Sequence, residues 1–358
     1  MRRGGKALAV RAGVAALLVV SIVVVLSHEP ASLADPAPAA GRARPAGSGA
    51  PLLVIPALPP LLPQPIPIEI PLLPTPMPPP APAAPAPRTA DGLDAFRGLG
   101  TWIDVYDWSM TFTGGRPTVG PDDVARMADV GVQTLYIQAS KHDAPTDVLE
   151  PERLGAFVGR ARAAGMRIVP WYLPTLVDVG QDLARLKAIA AVPGTHGLAV
   201  DIEARNVPGV AERNRRLVEL SRALRQAVPG RAVAAVVMPP VQLEVVNPKF
   251  WPDFPYREIA PSYDVWMTMG YWTDRTSASG YRDAHAYTKE NVVRLRRNVG
   301  RADLPVHPIG GIGTGTSRAD VEAYKRAVSE VGGFGGSLYD WSTTAPALWP
   351  ALRPMRVG

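Results

Sequence analysis

Short apolar runs and helical segments alternate eight times along residues 91–358, which limits the chain to very few folds. The apolar runs are typical of buried strands, and they begin near Thr101, Val132, Met166, Gly197, Ala232, Tyr263, Leu304 and Phe334. Strands that alternate with helices form parallel sheets, because a parallel connection needs a long crossover. Eight units in a stretch of this length predict a (β/α)8 TIM barrel. A doubly wound open sheet is the alternative, but no G-x-G-x-x-G turn follows the first strand.

The helical segments between the strands have recognisable ends. Prolines and acids stand in their first turns, and glycine follows several of them, as expected at helix termini. The helices are predicted over residues 121–131, 151–164, 208–228, 291–300 and 318–332.

The fourth apolar run ends in two carboxylates separated by one residue, Asp201 and Glu203. Alternate residues of a strand share a face, so these two side chains are expected to point the same way. Two neighbouring buried acids raise each other's pKa, and one protonated beside one ionised carboxyl suits general acid catalysis. An exposed edge strand with solvated acids would give the same short pattern.

Polar and aromatic residues collect where the predicted strands end, which is where active sites of this barrel lie. Flat aromatic rings beside carboxylates favour a sugar-binding cleft, because the apolar faces of pyranose rings stack on indoles. Core packing is the alternative for any single tryptophan. The residues predicted to bind substrate are Trp102, Trp108, Gln138, Trp171, Tyr172, Trp272 and Trp341.

Three short motifs resemble those of glycoside hydrolases of the family 18 chitinase type and the family 25 lysozyme type. Asp201-Ile202-Glu203 resembles the D-x-E that ends strand four in both families. The stretch 264–271 is similar to the chitinase strand-six motif, with Met269 in place of its tyrosine and Tyr271 two residues later. A further acid of the chitinase motif is replaced by Ala199. Asp104 and Asp340 look like the strand-one and strand-eight acids of the lysozyme type.

The resemblance implies an O-glycosyl hydrolase in which Glu203 protonates the glycosidic oxygen and Asp201 orients a substrate acetamido group. Two routes for the nucleophile stay open. The acetamido carbonyl attacks with Asp201 and Tyr271 orienting it, or Asp104 or Asp340 supplies a nucleophile or a base for water. A catalytically inactive barrel that binds cell-wall polysaccharide is the alternative function.

The first ninety residues predict export. Basic residues precede the apolar run 14–26, as in a secretory signal over residues 1–34 that is either cleaved or kept as a membrane anchor. Residues 35–90 contain 19 of the 40 prolines, so neither helix nor central sheet is expected there. We expect a disordered proline-rich linker, either a semi-rigid polyproline spacer or plain filler, before a barrel domain at 91–358.

Charge and motif spacing argue against three other classes of protein: nucleic-acid-binding proteins, metalloenzymes and serine esterases. Residues 1–90 carry a net charge of +4 of the total +6, so the barrel is too weakly basic to predict nucleic-acid binding. The five histidines do not show the H-x-x-x-H or H-x-x-E-H spacing of zinc-binding sites. The sequence also lacks the G-x-S-x-G motif that carries the nucleophile of serine esterases. We therefore expect no metal and no cofactor. The resemblance implies a polysaccharide partner, and we expect a monomer. The N-terminal segment predicts a location outside the cytoplasm, with membrane contact only if that segment is not cleaved.

Overall fold

The computed structural model describes residues 90–357. The predicted signal or anchor and the predicted linker, apart from its last residue, lie outside the described residues. Eight parallel strands form one sheet in the order β6-β5-β4-β3-β2-β1-β8-β7. The strands are β1 (Gly98–Ile103), β2 (Thr134–Gln138), β3 (Arg167–Tyr172), β4 (Leu198–Ile202), β5 (Val233–Val237), β6 (Val265–Thr268), β7 (Ile309–Ile312) and β8 (Gly335–Tyr339).

The sheet curves into a barrel because β8 returns to pair with β1. The remaining seam, between β6 and β7, is joined by two isolated bridges, Trp266 to Val306 and Met269 to Ile309. The barrel is therefore nearly closed, and the predicted (β/α)8 fold is confirmed.

Helices connect the strands on the outside of the barrel, as the alternating sequence pattern predicts. Those described are α1 (Ala90–Asp94), α2 (Val105–Trp108), α3 (Asp123–Asp129), α4 (Pro151–Ala163), α5 (Val179–Ala190), α6 (Val210–Ala227), α7 (Tyr256–Ile259), α8 (Ala284–Val299), α9 (Arg318–Glu330) and α10 (Trp349–Leu352). Among the described residues, no helix has the length and apolar character needed to cross a membrane.

Four of these helices match their predicted bounds within two residues, namely α3, α4, α6 and α9. The helix α8 begins at Ala284 rather than at 291, because the Asp283 side chain caps it by accepting from the Ala286 N–H at 2.7 Å. The helix α5 lies between β3 and β4, where the eightfold pattern predicted a helix without specific bounds.

The interior of the barrel is filled by large side chains, so it is a packed core rather than a channel. Trp102 and Tyr136 stack there with ring centroids 4.3 Å apart, and both are buried. Gly100 makes this packing possible, since a Cβ at that position would lie 2.5 Å from the Tyr136 ring. The packed interior leaves the residues just beyond the strand ends to form a site.

Candidate active site

The two acids of β4 lie where the strand ends. Asp201 is the last residue but one of β4, and Glu203 directly follows the strand. Pairing with β5 extends to Ile202, which keeps the backbone extended and places both acids on one face. Both residues are half-buried. The predicted side-by-side arrangement of two carboxyls is present.

Burial changes the protonation of this pair. It raises the pKa of Glu203 to about 7. Burial first, and then the neighbouring charge of Glu203, raises the pKa of Asp201 well above its usual value. Asp201 Oδ1 is buried without a hydrogen-bond partner in the part of the chain that the structure describes. The pair therefore retains a proton near neutral pH, as a general acid requires.

A second acidic group, which we call the β1–β8 triad, consists of Asp104, Asp107 and Asp340. One carboxylate oxygen from each lies within 4.8 Å of the others, and all three are strongly desolvated. Asp104 caps α2, and its carboxylate accepts from the Tyr106 N–H at 2.7 Å and from the Tyr339 hydroxyl at 3.0 Å. The Asp104 N–H also donates to Asp107 Oδ2 at 3.0 Å, which holds these two acids together at the end of β1.

Burial is the largest cause of raised pKa values in the β1–β8 triad. Burial and then the Asp104 charge raise the pKa of Asp340 to about 6. Burial and then the charges of Asp340 and Asp104 raise the pKa of Asp107 well above its usual value. Hydrogen bonds partly oppose this, since Asp107 accepts from the Ser342 hydroxyl at 2.5 Å and Asp340 accepts from the Thr343 N–H at 2.8 Å. Three carboxylates this close together suit a hard cation such as Ca²⁺ or Mg²⁺. In this structure, however, both carboxylate oxygens of Asp104 and of Asp107 accept hydrogen bonds from protein donors.

Tyr271 connects the two acidic groups. Burial raises the pKa of its phenol, and the charges of Glu203, Asp201, Asp274 and Asp340 raise it further. Its ring centroid lies 5.8 Å from that of Tyr339. A phenol that keeps its proton is a hydrogen-bond donor, so Tyr271 can bind an acceptor between the carboxyls.

The structure therefore brings together, at one end of the barrel, all five residues predicted to be catalytic. Asp107 was not among them, and neither was Tyr339, which donates to Asp104. The spacing of Asp104 and Asp107, three residues apart across a helix start, fits a capping box and was the available signal.

Some of the predicted substrate-binding aromatics lie near this acidic cluster. The Trp102 ring centroid is 6.0 Å from that of Trp171 and 6.5 Å from that of Tyr339. Trp102 and Trp171 are 2% and 4% exposed, and Trp171 Nε1 has no partner among the described atoms. Trp341 is half-exposed, stacks on Trp349 at 5.1 Å and donates its backbone N–H to Trp102.

The other predicted substrate-binding side chains are engaged elsewhere. Trp108 packs edge-on against Phe157 of α4, and its Nε1–H donates to the Gln138 backbone carbonyl. Tyr172 donates its hydroxyl to Asp182 of α5 at 2.6 Å, and Trp272 packs on Tyr324 of α9. The Gln138 side-chain oxygen accepts from the Val105 N–H. The structure thus places these rings between barrel and helices, and Gln138 supports the loop after β1.

A buried hydrogen-bond chain orients Trp102. His307, which the sequence places in strand seven, lies just before β7, inside the barrel, and burial lowers its pKa to about 4. Its Nδ1 lies 2.8 Å from the Phe96 carbonyl, which can only accept, so Nδ1 carries the proton. His307 Nε2 then accepts from the Ser337 hydroxyl at 3.0 Å, and Ser337 accepts from Trp102 Nε1–H at 2.9 Å.

Comparison with solved structures identifies similar barrels. The Bacillus cereus spore cortex-lytic enzyme SleL is 10% identical, with a TM-score of 0.53, over 73% of this chain and 74% of that chain. A family 18 chitinase from Cycas revoluta is 13% identical, with a TM-score of 0.52, over 72% and 98%. A mannanase from Thermotoga petrophila is 11% identical, with a TM-score of 0.51, over 68% and 88%.

No known family description matches the sequence, and no curated protein matches it either. The solved structures show that the chain has a TIM-barrel fold similar to that of these three enzymes. At these identities the likeness extends to the fold alone.

Proposed function

We propose that the protein is a glycoside hydrolase that cleaves an amino-sugar polysaccharide, with Glu203 as the general acid. One observation carries this proposal. The paired carboxyls of Asp201 and Glu203 lie side by side at the end of β4, where burial keeps a proton on the pair near neutral pH. A carboxylic acid that is still protonated near neutral pH can donate its proton to the leaving oxygen, which water at that pH protonates poorly.

In the proposed reaction, Glu203 donates its proton to the glycosidic oxygen as the bond from that oxygen to the anomeric carbon breaks. The acetamido carbonyl oxygen of the same sugar attacks the anomeric carbon, and Asp201 and Tyr271 orient the acetamido group. The Glu203 carboxylate then takes a proton from water as the water adds to the anomeric carbon and the bond from the acetamido oxygen to that carbon breaks. This restores the acid and the acetamido group, and the net change is the cleavage of one glycosidic bond with the consumption of one molecule of water.

The β1–β8 triad supplies the alternative nucleophile. Burial and the Asp104 charge raise the pKa of Asp340 to about 6, so it is mostly ionised at pH 7, and Asp104 accepts from donors on both oxygens. If the substrate carries no acetamido group, one of these carboxylates attacks directly or activates water. We favour the acetamido route because D-x-E with a tyrosine after strand six resembles that chemistry. It is also supported by Asp201 Oδ1, which has no hydrogen-bond partner among the described residues.

Ala199 and Met269, the two residues that depart from the chitinase motifs, are both buried in the barrel. Ala199 is fully buried in β4, so no acid lies beneath Asp201 to share its proton. Met269 is 3% exposed and forms the bridge to Ile309 across the β6–β7 seam. We propose that Tyr271, two residues further on, takes the role of the missing tyrosine.

Export also belongs to the proposal, and it rests on residues 1–34 and the proline-rich segment alone. A basic start followed by an apolar run is typical of secretory signals. We propose that the barrel acts outside the cytoplasm as a monomer, on a glycan of the cell envelope or the surroundings.

The experiment is hydrolysis of a panel of amino-sugar and neutral polysaccharides by the purified protein and two variants. Glu203→Gln is expected to lose at least about 10³-fold in turnover while it still binds substrate. Glu258→Gln removes an exposed acid on α7 and is the matched control. Binding without turnover by the unmodified protein identifies an inactive polysaccharide-binding barrel, and full activity of Glu203→Gln overturns the assignment.

A further inference from the structure

The loop that follows Glu203 leads directly into α6, and two arginines lie at this junction. Arg205 is exposed in the loop, and Arg213 belongs to the first turn and a half of α6. The loop after β5 supplies two adjacent aromatic rings beneath them. Arg205 lies over Phe250, with Cζ 4.5 Å from the ring centroid, and Arg213 lies over Trp251 at 4.3 Å.

Arg213 is an unusual arginine because it is only 2% exposed and yet forms no ion pair with any described acid. Among the described residues, no hydrogen bond or ion pair joins its guanidinium to an acceptor, and its Nε is buried without a partner. Stacking on Trp251 uses the face of the guanidinium and leaves its N–H donors free. A buried charge in this state destabilises the fold until an acceptor binds it.

A second positive charge reinforces the first. Burial and the neighbouring Arg205 guanidinium both lower the pKa of Arg213, so the two cations repel one another. In the part of the chain that the structure describes, no ion pair is formed by Arg205 either, whereas Glu212 beside them is paired with Arg215 and Arg216. Two guanidinium groups that form no ion pair with a described residue therefore lie close together at the start of α6.

The start of α6 adds a third positive contribution. The helix has 18 residues, and its N-cap, Gly209, offers no side-chain cap to the first N–H groups. Helix side chains tilt towards the N-terminus, so Arg213 extends over that end of the helix. Free N–H groups and the helix dipole favour an anion at such a position.

The junction lies close to the proposed acid. Arg205 is two residues beyond Glu203, so their Cα atoms are at most about 7 Å apart. A glycan bound at the proposed acid could therefore also reach the two arginines.

We propose that Arg205, Arg213 and the start of α6 form an oxyanion subsite that binds a carboxylate or phosphate group carried by the glycan. The substrate class is then an acidic amino-sugar polysaccharide rather than a neutral one. This inference rests on the proposed function, and it adds a determinant of specificity away from the acidic pair. A guanidinium fork binds either oxyanion through two parallel hydrogen bonds.

Titration calorimetry on the full chain carrying Glu203→Gln tests the subsite without cleaving the probes. The probes are an oligosaccharide of alternating N-acetylglucosamine and N-acetylmuramic acid, the same oligosaccharide with its carboxylates reduced to alcohols, and chitin oligosaccharides with and without 6-phosphate groups. At constant ionic strength, one charged probe is expected to bind at least about tenfold tighter than its neutral counterpart. The pair that differs identifies the oxyanion as carboxylate or phosphate.

Arg205→Met and Arg213→Met keep an apolar chain over the aromatic rings and are expected to abolish that preference while binding of the neutral probes is unchanged. Arg162→Met removes an exposed arginine of α4 and should keep the preference. If Arg213→Met does not fold, Arg205→Met decides alone. Equal binding of both probes in each pair, or an unchanged preference in Arg205→Met, overturns the subsite.

The same titrations distinguish failure of the subsite from failure of the proposed function. Neutral probes that bind without any charge preference leave the glycan site intact and overturn the subsite alone. If no oligosaccharide binds, the proposed function is wrong, and inorganic phosphate then decides whether the arginines bind an oxyanion. Phosphate should raise the melting temperature relative to chloride at equal ionic strength, and Arg205→Met should remove this rise.

Discussion

Replacing Glu203 by glutamine should stabilise the fold at alkaline pH while it removes the proposed acid. Burial raises the pKa of Glu203 from its usual 4.5 to about 7. Below pH 4.5 the carboxyl is protonated in both folded and unfolded chains, so it does not affect the free energy of unfolding. Between 4.5 and 7 only the folded chain keeps the proton, so stability falls as pH rises. Above pH 7 the cost reaches about 3 kcal/mol, at about 1.4 kcal/mol per unit of pKa.

The measurement is thermal unfolding of the unmodified protein and Glu203→Gln at pH 4 and pH 8. For a domain of this size, about 3 kcal/mol corresponds to a melting temperature roughly 5–10 °C higher for the variant at pH 8, with little difference at pH 4. Glu258→Gln, an exposed control, should show no such dependence on pH. A difference that is the same at both pH values, or an unmodified protein that is the more stable at pH 8, would refute the assignment of a buried, destabilised carboxyl.

Three further predictions concern the framework of the site. Ser337→Ala leaves Trp102 Nε1–H and His307 Nε2 without partners, so we expect a loss of about 1–3 kcal/mol in the free energy of unfolding, measured in urea. Arg185→Met removes the donors that bind the Thr146 and Ala144 carbonyls, and hydrogen exchange in the loop after β2 should accelerate while the strands stay protected. A chain shortened to residues 91–358 should unfold in one cooperative transition; aggregation that only the proline-rich segment prevents would contradict the boundary.

The barrel was predictable because its pattern is local and repeated. Each strand–helix unit has its own apolar run and its own ends, so the fold follows from periodicity and punctuation. The seventh strand shows the limit of this reasoning. Its apolar run begins at Leu304, but Pro305 and Pro308 lack the N–H that a ladder needs, and β7 itself begins at Ile309.

The site was predictable only in part. Alternation along β4 is enough to place Asp201 and Glu203 together, since a strand has a period of two residues. The direction of rings just beyond a strand is not fixed by that period. Trp102, within β1, lies beside Trp171 and Tyr339, whereas Trp272, beyond the end of β6, packs on Tyr324 of α9. Tyr339 was missed because its contact with Asp104 joins residues 235 positions apart in sequence.

The central claim is that Glu203 supplies a proton to the leaving group, and leaving-group dependence tests it most directly. Turnover should be measured on an amino-sugar oligosaccharide and on the matching dinitrophenyl glycoside, whose phenolate leaves without a proton. Glu203→Gln is expected to lose at least about 10³-fold on the oligosaccharide and less than about tenfold in the first release of dinitrophenolate from the glycoside, because release of the phenolate needs no acid. Equal losses on both substrates, or no loss on the oligosaccharide, would contradict the role of Glu203.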